Sequence, residues 1–197
     1  MTMPVRKPAT YQDILDLPEH LNGEIINGEL VASPRPGPTH AWVSSALGSD
    51  VGSAFHRRPG NPQGPGGWWI IDEPELHLGP HVLIPDLAGW RREKMPARPS
   101  TAWIELVPDW TCEVVSPRSA GRDRVAKARI YLESGVPWYW VVDPGSGIVE
   151  VFKNAVEQWI LIGMWSDDDA EARIPPFDAV PFDLTRWWEG IPPREDY

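Results

Sequence analysis

The sequence predicts an α/β fold with an N-terminal β-hairpin, and three observations support this prediction. Asn27-Gly28 separates two short β-prone runs in "GEIINGELVAS", and Asn-Gly is the strongest short-range hairpin pattern. Val43, Leu47 and Val51 recur every four residues, as on the buried face of a helix. Towards the C-terminus, turns separate three further β-prone runs, "WYWVVD", "IVEVF" and "QWILIGMW".

The remaining elements follow from local patterns in chain order. Thr10 is typical of the N-cap of a short helix over 11–17, which Pro18 ends, and Thr39 caps the longer helix that carries the apolar stripe. Strands over 68–72, 75–78 and 81–90 precede a basic, proline-broken segment over 91–101. The prediction is completed by a short element over 103–107, a strand over 110–115, a helix over 119–134 ended by Gly135, and the three final strands.

A chain of 197 residues with 42% hydrophobic residues has enough apolar surface for a single domain, predicted over 1–197. The 23 prolines cluster in loops and near both ends, so about 1–9 and 189–197 are expected to be flexible. No apolar run has the length of a signal-peptide core or a membrane span, which predicts a soluble, cytoplasmic protein without a membrane partner. Cys112 is the only cysteine, so no intrachain disulfide can form.

The helix predicted over 119–134 combines an apolar stripe with positive charge. Val125, Ala128 and Leu132 have core-facing spacing, so Lys127 is expected to point away from the centre of the stripe. The net charge of the whole chain is −10, which argues against broad attraction to nucleic acid. Any such contact therefore needs a local patch, and the basic residues of this region are the candidates: Arg118, Arg122, Arg124 and Arg129.

Glu113 stands in the apolar strand "WTCEVV", where a bare carboxylate is costly to bury. An arginine partner would explain it, and so would a metal ion, because either cation compensates the charge. Asp86 follows Pro85 and could either form a turn or join Glu113 at one edge of a sheet. Two carboxylates there can hold Mg²⁺. Lys127 could orient a water or offset phosphate charge, although a solvated helix lysine is the more common role.

Three segments of the chain resemble one protein family. They are "GEIINGELVASPRPGPTHAWVSSAL", "IPDLAGW" and "CEVVSPRSAGRDRVAKARIYLESGVPWYWVVDP", and they span most of the chain from Gly23 to Pro144. In this order they are similar to the Uma family of predicted restriction endonucleases, a branch of the PD-(D/E)xK nuclease superfamily. The resemblance implies a restriction-endonuclease-like core, in which a central mixed β-sheet is flanked by helices.

The resemblance also implies a metal site. Asp86 and Glu113 match its ligands, with the main-chain carbonyl of Val114 beside them. The usual lysine position, two residues after the acid, is Val115 here. The candidate catalytic lysine is therefore Lys127 on the following helix, and the implied cofactor is Mg²⁺, with Mn²⁺ as a possible substitute.

Several other residues have two interpretations each. Glu24 in "GEIINGE" matches an outer acid of the family site, or is an exposed hairpin residue. Asp123 shares a helix face with Lys127 and could simply be its surface partner. Tyr131, one turn after Lys127, could reach the site or pack in the core. His40 could meet a phosphate near the start of its helix, or act as a capping or surface residue.

Three patterns carry less weight. His77 and His81 have the spacing of helical metal ligands, but Gly79-Pro80 between them breaks any helix. Cys112 is expected to pack on the strand face opposite Glu113, as an inert thiol. The twelve tryptophans could stack on bases or fill the core.

The predicted function is Mg²⁺-dependent hydrolysis of a nucleic-acid phosphodiester by an endonuclease, with DNA as the expected substrate and a homodimer as the expected assembly. Two alternatives stay open. One is a catalytically inactive interaction module that retains the nuclease fold, which the net charge and Val115 both favour. The other is a metal-dependent hydrolase of a different phosphate ester.

Overall fold

The computed structural model describes residues 7–60, 64–115, 122–169 and 171–191, and for residues 122–124 it describes only the backbone. Its helices are α1 (Tyr11–Leu15), α2 (Pro38–Phe55) and α3 (Arg122–Glu133), followed by a 3-10 turn at Leu184–Arg186. None of the described helices has both the length and the apolar character needed to cross a bilayer. Its strands are β1 (Leu21–Ile26), β2 (Glu29–Pro34), β3 (Trp68–Asp72), β4 (Leu76–Leu78), β5 (His81–Leu83), β6 (Leu87–Arg91), β7 (Trp110–Val114), β8 (Trp138–Asp143), β9 (Ile148–Asn154) and β10 (Trp159–Trp165).

Two β-sheets form the framework. The larger sheet has six strands in the order β10-β9-β8-β7-β6-β3. β7 and β8 run parallel and the other neighbours run antiparallel, so the sheet is mixed, as expected. A parallel pair needs a crossover connection, and α3 lies in the one between β7 and β8. The smaller sheet is antiparallel, in the order β2-β1-β5-β4.

The predicted N-terminal hairpin is confirmed. Asn27 and Gly28 have φ angles of 53° and 78°, the left-handed conformation that a tight two-residue hairpin turn requires. β1 pairs with β2 along its whole length, and on its other side with β5. The hairpin is therefore part of the smaller sheet, and this pairing brings Glu24 of β1 close to the segment that follows β5.

Both faces of the six-stranded sheet are covered along its central strands, whereas the edge strand β10 is largely exposed. α2 covers one face with Val43, Leu47 and Val51, all fully buried, which confirms the predicted stripe. α3 and the smaller sheet cover the other face. Side chains alternate along β7, so Cys112 lies in the first core and Glu113 points to the second face. Five tryptophans are buried in these cores: Trp68, Trp90, Trp110, Trp140 and Trp187.

Several predicted boundaries are wrong, and two of them lie next to the candidate residues His40 and Asp86. α2 begins at Pro38 with Gly37 as its N-cap, so Thr39 lies within the first turn; proline is favoured at the first helical position. The strand predicted over 81–90 is two strands, β5 and β6, which belong to different sheets. The segment 84–86 separates them, because its proline has no N–H with which to continue a ladder.

The buried face of α3 is not the predicted apolar stripe. Val125 is 69% exposed, whereas Lys127, Ile130 and Tyr131 are buried. Apolar spacing did not identify this face because the buried residue is a lysine. Its burial is possible only because carboxylates from other elements compensate its charge. The predicted residues 119–121 of this helix lie outside the described residues.

Most of the two ends predicted to be flexible, residues 1–6 and 192–197, also lies outside the described residues. Ala9 is tied to the hairpin turn, since its N–H donates to the carbonyl oxygen of Gly28 at 2.8 Å.

Candidate active site

Four charged side chains from four parts of the fold meet beside the end of β7. They are Glu24 of β1, Asp86 just before β6, Glu113 of β7 and Lys127 of α3. Between 7% and 13% of each of these side chains is exposed. The structure therefore brings the four predicted catalytic residues together in one group, which we call the buried cluster.

Glu113 has a partner on each carboxylate oxygen. Its Oε1 accepts a hydrogen bond from the Tyr131 hydroxyl at 2.7 Å, and its Oε2 lies 3.2 Å from Nζ of Lys127. Burial raises the pKa of Glu113; Lys127 opposes this effect and Asp86 and Glu24 add to it, so that the pKa is about 7. A single ammonium shared with Glu24 does not offset the desolvation. A lysine and a tyrosine thus replace the arginine partner considered from the sequence.

Lys127 has a match for each of its three N–H donors. Its Nζ lies 2.9 Å from Oε1 of Glu24, 3.2 Å from Oε2 of Glu113 and 3.2 Å from the carbonyl oxygen of Ile84. Burial lowers the pKa of Lys127, but the charges of Glu113, Glu24 and Asp86 outweigh it, and the pKa rises. Lys127 is therefore a charged, fixed group inside the fold and not a solvated helix lysine.

Glu24 is 7% exposed, so its interpretation as an exposed hairpin residue is wrong. Its Oε1 accepts a second hydrogen bond, at 2.7 Å, from the N–H of Ile84. Ile84 therefore binds Glu24 through its N–H and Lys127 through its carbonyl oxygen. This double attachment holds the chain between β5 and β6 against both β1 and α3.

Asp86 follows Ile84 by two residues and lies at the end of β7. Its Oδ2 accepts a hydrogen bond from the N–H of Val114 at 2.6 Å. Its Oδ1 lies 3.1 Å from Nε2 of His40. Asp86 is thus more than a turn residue, because its side chain links the main chain beside Glu113 to α2.

His40 reaches this site from the first turn of α2. Burial lowers its pKa, but the hydrogen bond and charge of Asp86, with contributions from the Val114 backbone and Glu113, raise it overall. Its Nδ1 is buried and has no hydrogen-bond partner within the described part of the chain. His40 therefore contacts Asp86, a candidate metal ligand. It does not have the surface or capping role considered from the sequence.

The structure does not describe most of the side chains of the nucleic-acid patch predicted around α3. Arg118 and the side chains of 122–124, which include Asp123, lie outside the described residues. Arg129 is exposed and pairs with Glu133 one turn later, Nε to Oε1 at 2.8 Å. Exposed pairs of this kind contribute little to stability. The patch as a whole stays a prediction.

The histidine pair and Cys112 behave as ordinary structure. Nε2 of His77 bonds to Oε1 of Glu75 at 2.7 Å, and Nδ1 of His81 accepts the N–H of Asn27 at 3.2 Å, so each histidine has its own partner. Cys112 is fully buried, on the predicted face, and burial raises the pKa of its thiol well above the usual value.

The oxygen donors of the buried cluster are of the type that a hard cation prefers. Asp86 and Glu113 are near enough for the charge of one to raise the pKa of the other, and their oxygens keep acceptor capacity beyond the contacts already named. Among the described residues, no three His, Cys, Asp or Glu side chains form a group that could hold a metal ion. Two carboxylates, a main-chain carbonyl and several waters are a donor set typical of Mg²⁺, not of Zn²⁺.

Comparison with known proteins places this chain in a family. The profile of the Uma2 family, described as "Putative restriction endonuclease", matches residues 9–186. The chain belongs to the Uma2 family. A solved structure similar to this Uma2 chain is described as that of "a putative nuclease belonging to DUF820 from Anabaena variabilis ATCC 29413". The identity is 24% and the TM-score 0.71, with 92% of this chain and 98% of the other covered. No curated protein matches the chain.

Uma2 membership confirms the resemblance seen in the sequence, and the structural likeness confirms the fold class. Sequence inspection missed the two main-chain bonds of Ile84. The pattern that could have indicated them is the following Pro85, because a residue before proline is extended and presents its N–H and carbonyl to neighbouring elements. The sequence named His40 and Tyr131 as candidates but did not indicate the His40–Asp86 contact or the Tyr131–Glu113 bond.

Proposed function

We propose that this Uma2 chain is a divalent-metal-dependent endonuclease that hydrolyses nucleic-acid phosphodiesters, with DNA as its substrate. The observation that carries the proposal is the buried ammonium of Lys127 between Glu24 and Glu113, with Asp86 at the same strand end. Such a concentration of buried charge is costly for the fold. It is therefore better explained by a site that acts on charged groups than by packing.

Asp86 and Glu113 would hold Mg²⁺ or Mn²⁺, with the main-chain carbonyl of Val114 as a third donor. When bound, the ion would polarise the phosphodiester and make a bound water a stronger nucleophile at neutral pH. His40 positions Asp86 by its contact with Oδ1. Tyr131 positions Glu113 by donating to Oε1. Both carboxylates are thereby restricted to a narrow range of orientations, as a site for a small ion requires.

Lys127 places a fixed positive charge next to the carboxylates, where negative charge would develop on the phosphate during attack. Glu24 is the positioning residue for this ammonium, together with the carbonyl of Ile84. All three N–H donors of Lys127 have partners in this structure, so direct donation to a water or phosphate requires that one of these contacts be released. We therefore assign Lys127 an electrostatic role.

A different feature, the complete set of contacts within the site, favours the competing function. A lysine with all its donors matched, and an aspartate engaged by both His40 and Val114, suit a stable core in a protein that has kept the nuclease fold without its activity. The two functions differ in outcome, because only the enzyme hydrolyses a substrate. A metal-dependent hydrolase of another phosphate ester would differ from the nuclease in its substrate, because it would not hydrolyse nucleic acid.

The test is hydrolysis of supercoiled plasmid, single-stranded DNA, RNA and a small phosphodiester, each with Mg²⁺, Mn²⁺ or EDTA. We expect plasmid cleavage with either ion and none in EDTA. Asp86→Asn and Glu113→Gln should reduce the rate at least a hundredfold, whereas the exposed control Glu157→Gln should not. Absence of cleavage of all three polymers by folded wild type, or undiminished cleavage by Asp86→Asn, would contradict the proposal.

A homodimer and a cytoplasmic location belong to the same proposal. Two copies would allow both strands of a duplex to be cut in one encounter. Sedimentation of the purified protein with and without duplex DNA measures the assembly, and a monomer in both conditions would remove the dimer from the proposal.

A further inference from the structure

Three arginines lie near β3, which is one of the two edge strands of the six-stranded sheet. They are separate from the basic patch predicted on α3. The guanidinium carbon of Arg92 lies 3.5 Å from the ring centre of Trp69, and that of Arg98 lies 5.4 Å from the same ring. Arg58, just after α2, is near enough for its charge to act on Arg92. We call Arg58, Arg92 and Arg98 the arginine cluster.

The surrounding main chain holds the centre of this cluster in place. Nε of Arg92 donates to the carbonyl oxygen of Trp68 at 3.1 Å. The indole of Trp69 is anchored in turn, since its Nε1 donates to the carbonyl oxygen of Met95 at 2.9 Å. A guanidinium stacked on a ring keeps donors at its edge, and this planar fork matches the oxygens of a phosphate.

The guanidinium groups of the cluster are not directly paired with carboxylates in the part of the chain that the structure describes. Nearby Lys94, by contrast, pairs with Asp109 at 3.2 Å. Burial lowers the pKa of Arg92, and the charges of Arg58 and Arg98 lower it further. On a chain of net charge −10, this is a local concentration of repelling cations, which a polyanion would relieve.

One member of the arginine cluster lies at a cavity of about 900 Å³ that extends towards the buried cluster as far as Ile84. Arg98 lines this cavity, and so does Ile84, whose carbonyl oxygen accepts from Lys127. Asp72, Glu73 and Glu75 also line it. A phosphate backbone near the cavity would therefore be drawn towards Arg98 and repelled by the three acids.

We propose that Arg58, Arg92 and Arg98 bind the nucleic-acid phosphates that flank the one held at the buried cluster. This inference rests on the proposed function for the identity of the polyanion. It deepens that function by assigning the substrate-holding surface to the β3 edge. Trp69 acts as a positioning residue, because its ring supports two of the three guanidinium groups.

The experiment measures binding of a short fluorescent DNA duplex in EDTA, where no metal-dependent cleavage occurs, at several salt concentrations. The proteins carry Asp86→Asn to exclude residual cutting. The variant is the triple Arg58→Gln, Arg92→Gln and Arg98→Gln. Its control is the triple Lys153→Gln, Arg173→Gln and Arg186→Gln, which removes the same charge from outside the arginine cluster.

We expect the arginine-cluster triple to bind at least tenfold more weakly than the control triple. The slope of log affinity against log salt should fall by about 2.7, because each lost phosphate contact contributes about 0.9. If the triple does not fold by circular dichroism, the double Arg58→Gln and Arg98→Gln replaces it, since both side chains are exposed and the expected change in slope is about 1.8.

Equal affinity and equal slope in the two triples would overturn the inference. So would loss of self-association by the arginine-cluster triple without loss of DNA binding, because the cluster would then hold a second acidic copy of the chain. If wild type binds duplex through the cluster but cuts no substrate, the arginine site is supported and only the proposed nuclease function fails. If wild type binds no nucleic acid, both fail.

Discussion

Glu24 of β1 and Lys127 of α3 form a buried ion pair, with Oε1 and Nζ 2.9 Å apart. The pair joins the smaller sheet to the helix that crosses between β7 and β8. Because Glu24 also accepts the N–H of Ile84, a single carboxylate connects three parts of the fold at the candidate site.

Glu24→Gln should therefore lower the free energy of unfolding by about 3 kcal/mol, because removal of one partner leaves a buried charge undercompensated. The matched control is Glu133→Gln, which breaks the exposed pair with Arg129 and should cost less than about 1 kcal/mol. Urea unfolding of both variants measures the difference. A Glu24→Gln loss no larger than that of the control would mean that the pair does not stabilise the fold.

Metal binding should stabilise the wild-type protein. At a Mg²⁺ or Mn²⁺ concentration about 100 times its Kd, the gain is about 2.7 kcal/mol, which corresponds to a rise of about 5 to 10 °C in Tm. Asp86→Asn and Glu113→Gln should lose most of this rise, and the exposed Glu157→Gln should keep it. Differential scanning fluorimetry with and without EDTA measures it, and an equal rise in Glu113→Gln would remove Glu113 from the metal site.

In EDTA, stability should decline with pH because of Glu113. Its carboxyl has an ordinary pKa of 4.5 in the unfolded chain and about 7 in the fold, so between these values the folded state holds more protons than the unfolded state. The free energy of unfolding therefore falls as pH rises through this window, by up to about 3 kcal/mol. Urea titrations from pH 4 to 8 should show this decline in wild type but not in Glu113→Gln; parallel profiles would contradict it.

Tyr131→Phe should destabilise the protein more at high pH than at low pH. The Tyr131 hydroxyl donates to Glu113 and lowers its pKa, so its loss penalises the ionised carboxylate most. We expect a cost of about 2 kcal/mol at pH 8, the range for a hydrogen bond to a charged group, and less at pH 5. Repeating the substitution in the Glu113→Gln background should abolish the pH dependence of the cost, and its persistence there would assign it to packing instead.

Much of the element order could be predicted from local patterns. Asn27-Gly28 specifies a hairpin turn through its backbone conformation, and the stripe from Val43 to Val51 identifies a buried helix face. Such features depend on residues close together in the chain, so they can be recognised without knowledge of the fold. The failures were also local: Thr39 was assigned a cap that Gly37 provides, and Pro85 divided a run that hydrophobicity alone made continuous.

The residues of the site could be named from the family resemblance, but their contacts could not. Nothing in the spacing of α3 indicated that Lys127 is buried while Val125 is 69% exposed, because the acids that compensate its charge come from β1 and β7. Nor did the basic segment 91–101 indicate that Arg92 and Arg98 share one tryptophan ring with a third arginine nearby.

The difference between what the sequence predicts and what only the tertiary structure decides has a physical cause. Turn geometry, helix periodicity and strand alternation are set by interactions between neighbouring residues, and the amino-acid sequence of this chain therefore specified its α/β class, its hairpin and the face on which Cys112 lies. The charge state and partners of Glu113 and Lys127 depend on desolvation and on distances between groups far apart in sequence. Those quantities exist only once β1, β7 and α3 have packed together, and tertiary packing also brings Arg98 beside a cavity that reaches Ile84.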